Sequence, residues 1–557
     1  MKLQRNMNKQ YKAVSPEETI ENINRILDTV GIPVIEETLG DGDMFCSCRI
    51  AITEDDDFSI GTNGKGMNQV FARASGYAEM MERFQNRVIV YPNPASFCAP
   101  CRFFPDEKPY EYFQEEAIEQ IRRFVPRVLP PNGIDIARMR GVSLPFYHVN
   151  NRSVENVPYS LVRWINGSNG MCAGNIPEEA LIQGFNEIFE RYCIQEMYVR
   201  QIVPPDVPKN IFEGTEILHR LERIKDEYGM TYFIKDYSLG EGFPVIGLMI
   251  YSEDRQKYIM HLGADLDPKI ALERCFTEIF QGYTAQSFKF ENDVNSCEKL
   301  NLFNEFKRSL MYGRGRLPKS YFVEKPSYQY TGCTIPVGKN FQEDLNNICQ
   351  WVINKGYNIF IRNNSFLGFP TFQILVPGMS EIDSSFCNLN RRLKHMELTE
   401  NELNPLFNLR FLSMEKANLT IDYLESIENF SIDLFTHNRN KNNHVNRNLV
   451  LMLLYLSLNN IESAENKLSQ YIRETNSELK IRKAVTVFET LKKCPHQAMK
   501  AIAAPICFNC GECQISDGCR FPFIKKIEDI TQEAMAHYHF NQFSIGHLFS
   551  NKNEAEN

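Results

Sequence analysis

The feature that most restricts how this chain can fold is a degenerate internal repeat. The stretches GKGMNQVFARASGYAEMMER (64–83), CAGNIPEEALIQGFNEIFER (172–191) and GADLDPKIALERCFTEIFQG (263–282) come into register on Glu79, Glu187 and Glu278. Seven residues before each glutamate stands an alanine: Ala72, Ala180 and Ala271. Two residues before it stands an aromatic: Tyr77, Phe185 and Phe276. Three residues after it come Glu82, Glu190 and Gln281, and fifteen before it Gly64, Cys172 and Gly263. A recurring pattern of this kind points to one supersecondary unit used three times.

Each copy follows a run rich in β-branched and aromatic residues. FCSCRIAI and DFSIG precede the first copy, YSLVRWI the second, FPVIGLMIY and KYIMHLG the third. These runs are predicted to be strands. The helix starts agree in register. Asn68 and Asp267 are good N-caps, and Pro177 and Pro268 suit the first helical turn. The unit is therefore strand, tight turn, helix, and the fold class is α+β with layered sheet and helices. After about residue 390 the pattern changes to apolar residues at helical spacing, as in NLVLMLLYLSLNNIESAENKLSQYIRE. Tetratricopeptide-like (TPR-like) helix pairs and an ordinary helical domain both fit it. THNRNKNNHVNRN (436–448) reads as a loop and SNKNEAEN as a disordered tail.

A chain of 557 residues predicts three or four domains at about 150 residues each. Its net charge of −9 argues against general nucleic-acid binding and favours a basic partner. No stretch is apolar enough to span a membrane. The basic start MKLQRNMNKQYK has no apolar stretch behind it and so is not a signal peptide. These features predict a cytoplasmic protein without membrane or nucleic-acid partners, with its thiols mostly reduced.

Residues three apart share a helix face, so Glu79 with Glu82 and Glu187 with Glu190 form carboxylate pairs. Carboxylates that close repel unless a cation sits among them. On an exposed helix the neighbouring Arg83 or Arg191 would suffice. In otherwise apolar helices after small-residue turns, the pairs suit Mg2+, held by a few carboxylates plus substrate phosphates. The turns would supply backbone N–H groups to those phosphates, and Lys65 a charge. GTNGKG lacks the spacing of a Walker A loop, and no kinase signature is present.

The three stretches, in this order and with their acids aligned, resemble the YcaO family over roughly residues 10–385. The resemblance implies a YcaO-type ATP-binding domain over 1–390, a helical TPR-like region over 391–500, and a Cys-rich segment and tail over 501–557. It implies ATP and Mg2+ as cofactors, with Glu79, Glu82, Glu187 and Glu190 as metal and phosphate ligands. It further matches Glu179 and Asn175 to the nucleotide site, and Lys12 and Thr19 of YKAVSPEETI to nucleotide contacts. Cys172 stands where a nucleotide-contacting serine is common and is expected to keep that place in the wall of the ATP pocket as a weaker donor; Tyr283 stands where an arginine is common. Ser75 is assigned to helix packing alone. Family members phosphorylate the oxygen of a peptide amide, which a nucleophile then replaces, so no catalytic side chain is assigned. The Pro-x-Pro-x-Pro tail of azoline-forming members is absent from the end of this sequence. That absence, with the helical C-terminal region, points to a thioamide-type or related modification and to the accessory factors of ribosomal-protein methylthiolation. The implied partners are a peptide or protein substrate and a modification or sulfur-transfer protein; a homodimer stays open. A nucleotide-binding adaptor without catalysis is the alternative.

CFNCGECQISDGC sets Cys507, Cys510, Cys513 and Cys519 within thirteen residues, with Cys494 upstream. Four thiolates at this spacing suit zinc or an iron–sulfur cluster. FCAPC, with Cys98 and Cys101, is a weaker signal.

Overall fold

The computed structural model describes residues 12–40, 44, 46–52, 61–88, 104–128, 136, 138–281, 289–290, 292–294, 300–312, 315–382, 414–426, 447–475, 478–498 and 521–549. Its three sheets are antiparallel. The first has the order β1 (Ile35–Leu39), β2 (Ser47–Ala51), β3 (Gly61–Lys65). The second runs β4 (Lys108–Phe113), β5 (Arg138–His148), β12 (Phe360–Asn363), β13 (Thr371–Leu375), β7 (Met171–Ala173), with β6 (Ser153–Val157) beside β5. The third runs β11 (Asn292–Asp293), β10 (Lys257–Ala264), β9 (Val245–Tyr251), β8 (Thr231–Asp236). Helices α1 (Pro16–Val30), α2 (Gln69–Gln85), α3 (Gln114–Phe124), α4 (Tyr159–Asn166), α5 (Pro177–Arg200), α6 (Glu216–Tyr228) and α7 (Pro268–Ile279) pack on them.

Each repeat copy takes its strand from a different sheet: β3 leads into α2, β7 into α5 and β10 into α7. The helices begin where their caps dictate. Asn68 accepts from Phe71 N–H and Asp267 from Lys269 N–H, while Pro177 and Pro268 open their helices. One expected strand is not a strand: YSLVRWI forms α4. Seven of its eight residues are buried, so it exposes no polar face that would betray a helical period. The second copy uses the short β7 instead.

Helix and strand of each copy meet through a slot for very small residues. A Cβ on Gly64 would lie 1.9 Å from the Ala72 carbonyl oxygen and 2.3 Å from the Gly76 nitrogen. A Cβ on Gly184 would meet the Cys172 sulfur at 2.8 Å, and one on Gly263 the Cys275 nitrogen at 2.9 Å. The facing pairs are therefore Gly64 with Gly76, Cys172 with Gly184, and Gly263 with Cys275. The slot holds at most one cysteine. The helix residue of each pair lies three before the aligned glutamate, so the slot fixes which way that acid points.

Beyond 390 the helices Met414–Ser426, Arg447–Ser457, Ile461–Glu474 and Glu478–Lys492 share a core around Leu424, Leu451, Leu454 and Phe488. The following segment returns to the sheets. Ile527 and Met535 of the helix Phe521–His537 join the core beneath β2 and α2. The Gln542 side chain accepts from Asn363 N–H (2.7 Å) and donates to its carbonyl (3.2 Å), beside β12. Residues 521–549 thus pack on the domain expected to end at 390. Cys507, Cys510, Cys513, Cys519, Cys98, Cys101 and Tyr283 lie outside the described residues, as does the expected tail. The eight described cysteines are all free thiols.

A side chain in the first slot has nowhere to go. Gly64→Ala is expected to cost about 1–3 kcal/mol, read as a lower thermal midpoint. An unchanged midpoint would contradict the close approach of β3 to α2.

Candidate functional site

The N-terminus of α1 and the facing sides of α2, α5 and α7 enclose a cavity of about 320 Å³. Spacing along each helix explains which side chains reach it. On α2 the lining residues are Phe71, Ala74, Ser75, Ala78, Glu79, Glu82 and Arg83, one face at intervals of three and four. On α5 they are Glu179, Gln183, Glu187 and Arg191, and on α7 Glu273, Arg274, Thr277 and Glu278. Lys12, Val14, Pro16 and Thr19 close one end with Asn175 and Phe369.

That end is knit by hydrogen bonds between residues far apart in sequence. The Thr19 hydroxyl donates to Asn175 Oδ1 at 3.0 Å. Asn175 Nδ2 in turn donates to Glu179 at 3.4 and 3.5 Å. Glu179 also accepts from Ala13 N–H (2.9 Å) and pairs with the Lys12 ammonium (3.3 Å). The capping box of Ser15 and Glu18 fixes the first turn of α1, which sets Lys12 and Thr19 against α5.

The acids on α2 and α5 are balanced by arginines of their own helices. Arg83 lies 3.2 Å from Glu79 and 3.3 Å from Glu82, and Arg191 lies 3.0 Å from Glu187. The bland reading of the pairs, neutralisation by a neighbouring arginine, is what the side chains do here. They do it facing a cavity rather than open solvent. Burial pushes the Glu82 carboxyl up to about 8; Arg83 opposes this, and the charges on Glu187 and Glu79 reinforce it. Burial likewise lifts Glu190 to about 7, against Arg191 and Lys65. One oxygen of Glu82, Oε1, is buried without a hydrogen bond.

Seven of the expected site residues line this one cavity: Lys12, Thr19, Glu79, Glu82, Asn175, Glu179 and Glu187. Glu190 is half-buried and is not among the lining residues, but lies within the electrostatic reach of Glu187, Lys65 and Arg274. Cys172 is fully buried behind α5, with its thiol on the Phe372 carbonyl at 3.7 Å, and does not line the cavity. Ser75, assigned to helix packing from the sequence, does line it. Gln183, Arg274 and Thr277 were missed. Their signal was positional, since each lies one helical turn from an aligned residue.

The residues fit a hard divalent cation with a triphosphate. The donors are carboxylate oxygens, one of them, Glu82 Oε1, buried with no hydrogen bond and held only by its ion pair with Arg83. No group of three or more His, Cys, Asp or Glu among the described residues is already assembled to hold an ion. Mg2+ does not require one, because it takes one or two carboxylates and fills its shell with phosphate oxygens and water.

The model of the YcaO cyclodehydratase family, described as ATP- and Mg2+-binding, matches residues 63–380. A Haemophilus influenzae protein is 26% identical over 372 residues, which cover 60% of this chain and 61% of that protein. The Escherichia coli ribosomal protein S12 methylthiotransferase accessory factor YcaO is 26% identical over 353 residues, covering 58% of this chain and 57% of its own. A Methanopyrus kandleri YcaO, solved with AMPPCP and Mg2+, is 17% identical with a TM-score of 0.42, covering 66% of this chain and 92% of that one. The chain thus spans about three-fifths of the curated relatives it matches. The family description names no zinc or iron–sulfur centre. Among the described residues no helix is long and apolar enough to cross a membrane.

The raised Glu82 carboxyl makes a pH prediction. Its folded value lies above the ordinary 4.5, so its contribution to stability is full at low pH and is lost as pH rises towards about 8. In metal-free buffer the thermal midpoint of the wild type should fall relative to Glu82→Gln across that window. Parallel curves for the two proteins would contradict the burial of the carboxylate.

Proposed function

The chain belongs to the YcaO family, and from that premise we propose that it phosphorylates a backbone amide of a peptide or protein at the expense of ATP with Mg2+. The observation that carries the reading is the meeting of Glu79, Glu82 and Glu187 with Lys12, Thr19, Asn175 and Glu179 in one cavity. The two groups divide the work. Thr19, Asn175, Glu179 and Lys12 form the polar end that grips the nucleoside, beside the apolar surface of Val14, Ala78 and Phe369. Glu79, Glu82, Glu187 and Glu190 hold the ion at the other end. When bound, Mg2+ supplies neutralisation and alignment of the transferred phosphoryl group.

In the proposed reaction the amide oxygen bonds to the γ-phosphorus as the bond to ADP breaks. A nucleophile then adds at the amide carbon and phosphate leaves. Phosphorylation is needed because oxide is a poor leaving group. Positioning of the two reactants supplies most of the remaining acceleration. We assign the modification to the thioamide type or related sulfur chemistry, in support of ribosomal-protein methylthiolation, with the helices between 414 and 492 as a TPR-like platform for a partner protein. This finer assignment draws on the name of the E. coli relative. That name, an accessory factor, equally supports a second reading, in which the chain binds ATP and recruits the modifying enzyme without turnover.

Glu79→Gln and Glu187→Gln should each weaken binding of ADP with Mg2+ by about tenfold or more, because each removes charge opposite the metal phosphate. Unchanged affinity in both variants would reject the assignment. ADP release stimulated by a co-purified substrate distinguishes the enzyme from the adaptor, which binds without turnover.

A further inference from the structure

The third copy of the repeat is the odd one. In the first two, the aligned glutamate pairs with an arginine four residues on, Arg83 or Arg191. In the third, that position is Gly282. Glu278 pairs instead with Lys65, the last residue of β3, which belongs to the first copy. The second acid of the pair is also gone: Gln281 stands there, and its amide donates to the Asn63 carbonyl at 2.6 Å. Two contacts therefore reach β3 from the third copy, one from Glu278 on α7 and one from Gln281 just past its end. Lys65 and Glu278 both line the cavity. Glu190, Glu79 and Glu187 also act on the Lys65 ammonium, which places it among the acids assigned to the ion.

Given the nucleotide reading above, we propose that Glu278 is not a metal ligand but a competing counter-ion, which holds Lys65 off the α- and β-phosphates of the nucleotide and so sets nucleotide affinity. Lys65 has two partners available in turn. Without nucleotide it closes β3 onto Glu278. With nucleotide it turns to the phosphate oxygens, a stronger anion, while Gln281 keeps the strand and helix together. The side chains of Lys65 and Glu278 are 33% and 30% exposed, so water screens the pair and the competition is modest. The other two aligned glutamates draw on arginines of their own helices, so of the three it is Glu278 whose ion pair ties two copies of the repeat together.

The test is calorimetric titration of the full-length protein with ADP at saturating Mg2+, using wild type, Glu278→Gln, Lys65→Met and the double variant. Glu278→Gln should bind ADP about threefold to tenfold more tightly than wild type, the scale of one screened ion pair. Lys65→Met should bind more weakly, and adding Glu278→Gln to it should change affinity by less than about twofold. If Glu278→Gln melts early, Glu278→Asp serves, since its shorter acid loosens the pair while keeping the charge; tighter binding is again expected, and its absence overturns the proposal. Weaker binding by Glu278→Gln would show a metal ligand and overturn the proposal. Equal tightening with and without Lys65 would show a general charge effect and overturn it as well. Wild type that binds no ADP with Mg2+ would overturn the nucleotide reading itself. Wild type that binds, with no gain in Glu278→Gln, overturns the competition alone.

Discussion

Mutual repulsion of carboxylates in a walled cavity is the constraint on which the rest of the molecule turns. Glu79, Glu82 and Glu187 face one another from two helices, where water is too scarce to screen them fully. An arrangement like this persists only if cations enter it. Arg83, Arg191, Lys65 and Lys12 do so, each on an acid of the cavity wall. A set of acids whose partners can be exchanged for a metal ion, and a set of cations then free for phosphate, is what a metal–triphosphate complex needs.

The fold meets the cost of that convergence by packing. In each unit a strand residue and a helix residue, Gly64 with Gly76, Cys172 with Gly184, or Gly263 with Cys275, approach until no further atom fits. The slot locks the rotation of the helix about its own axis. The acid three residues on is then aimed by main-chain contacts, and repulsion cannot swing the helix away. Cys172 belongs to this packing. Its place behind α5, with the thiol on the Phe372 carbonyl, keeps it out of the cavity, against what the resemblance implies.

The repeat, its helix caps and most of its strands were legible in the sequence because they are local. Asn68, Asp267, Pro177 and Pro268 start helices by chemistry that extends over only a few residues. YSLVRWI misled because burial on nearly all sides erases the contrast on which period-reading depends. Lys12, Thr19, Asn175 and Glu179 were placed by resemblance and not by spacing; their network joins residues 156 and 166 apart. The pairing of Lys65 with Glu278 was illegible for the same reason. Nothing local says that the turn of the first copy replaces the arginine missing from the third. Residues 521–549 were expected beyond the ATP-binding domain, yet Ile527, Met535 and Gln542 pack on it, another contact between distant parts of the chain.

The most direct measurement is the anomalous scattering of crystals grown with Mn2+, in place of Mg2+, and a non-hydrolysable ATP analogue. The account predicts a metal peak between Glu79 and Glu82 of α2 and Glu187 of α5, with the triphosphate on it and the nucleoside against Asn175 and Glu179. A nucleotide bound elsewhere, with the Arg83–Glu79 and Arg191–Glu187 pairs intact and no metal between the helices, would contradict it.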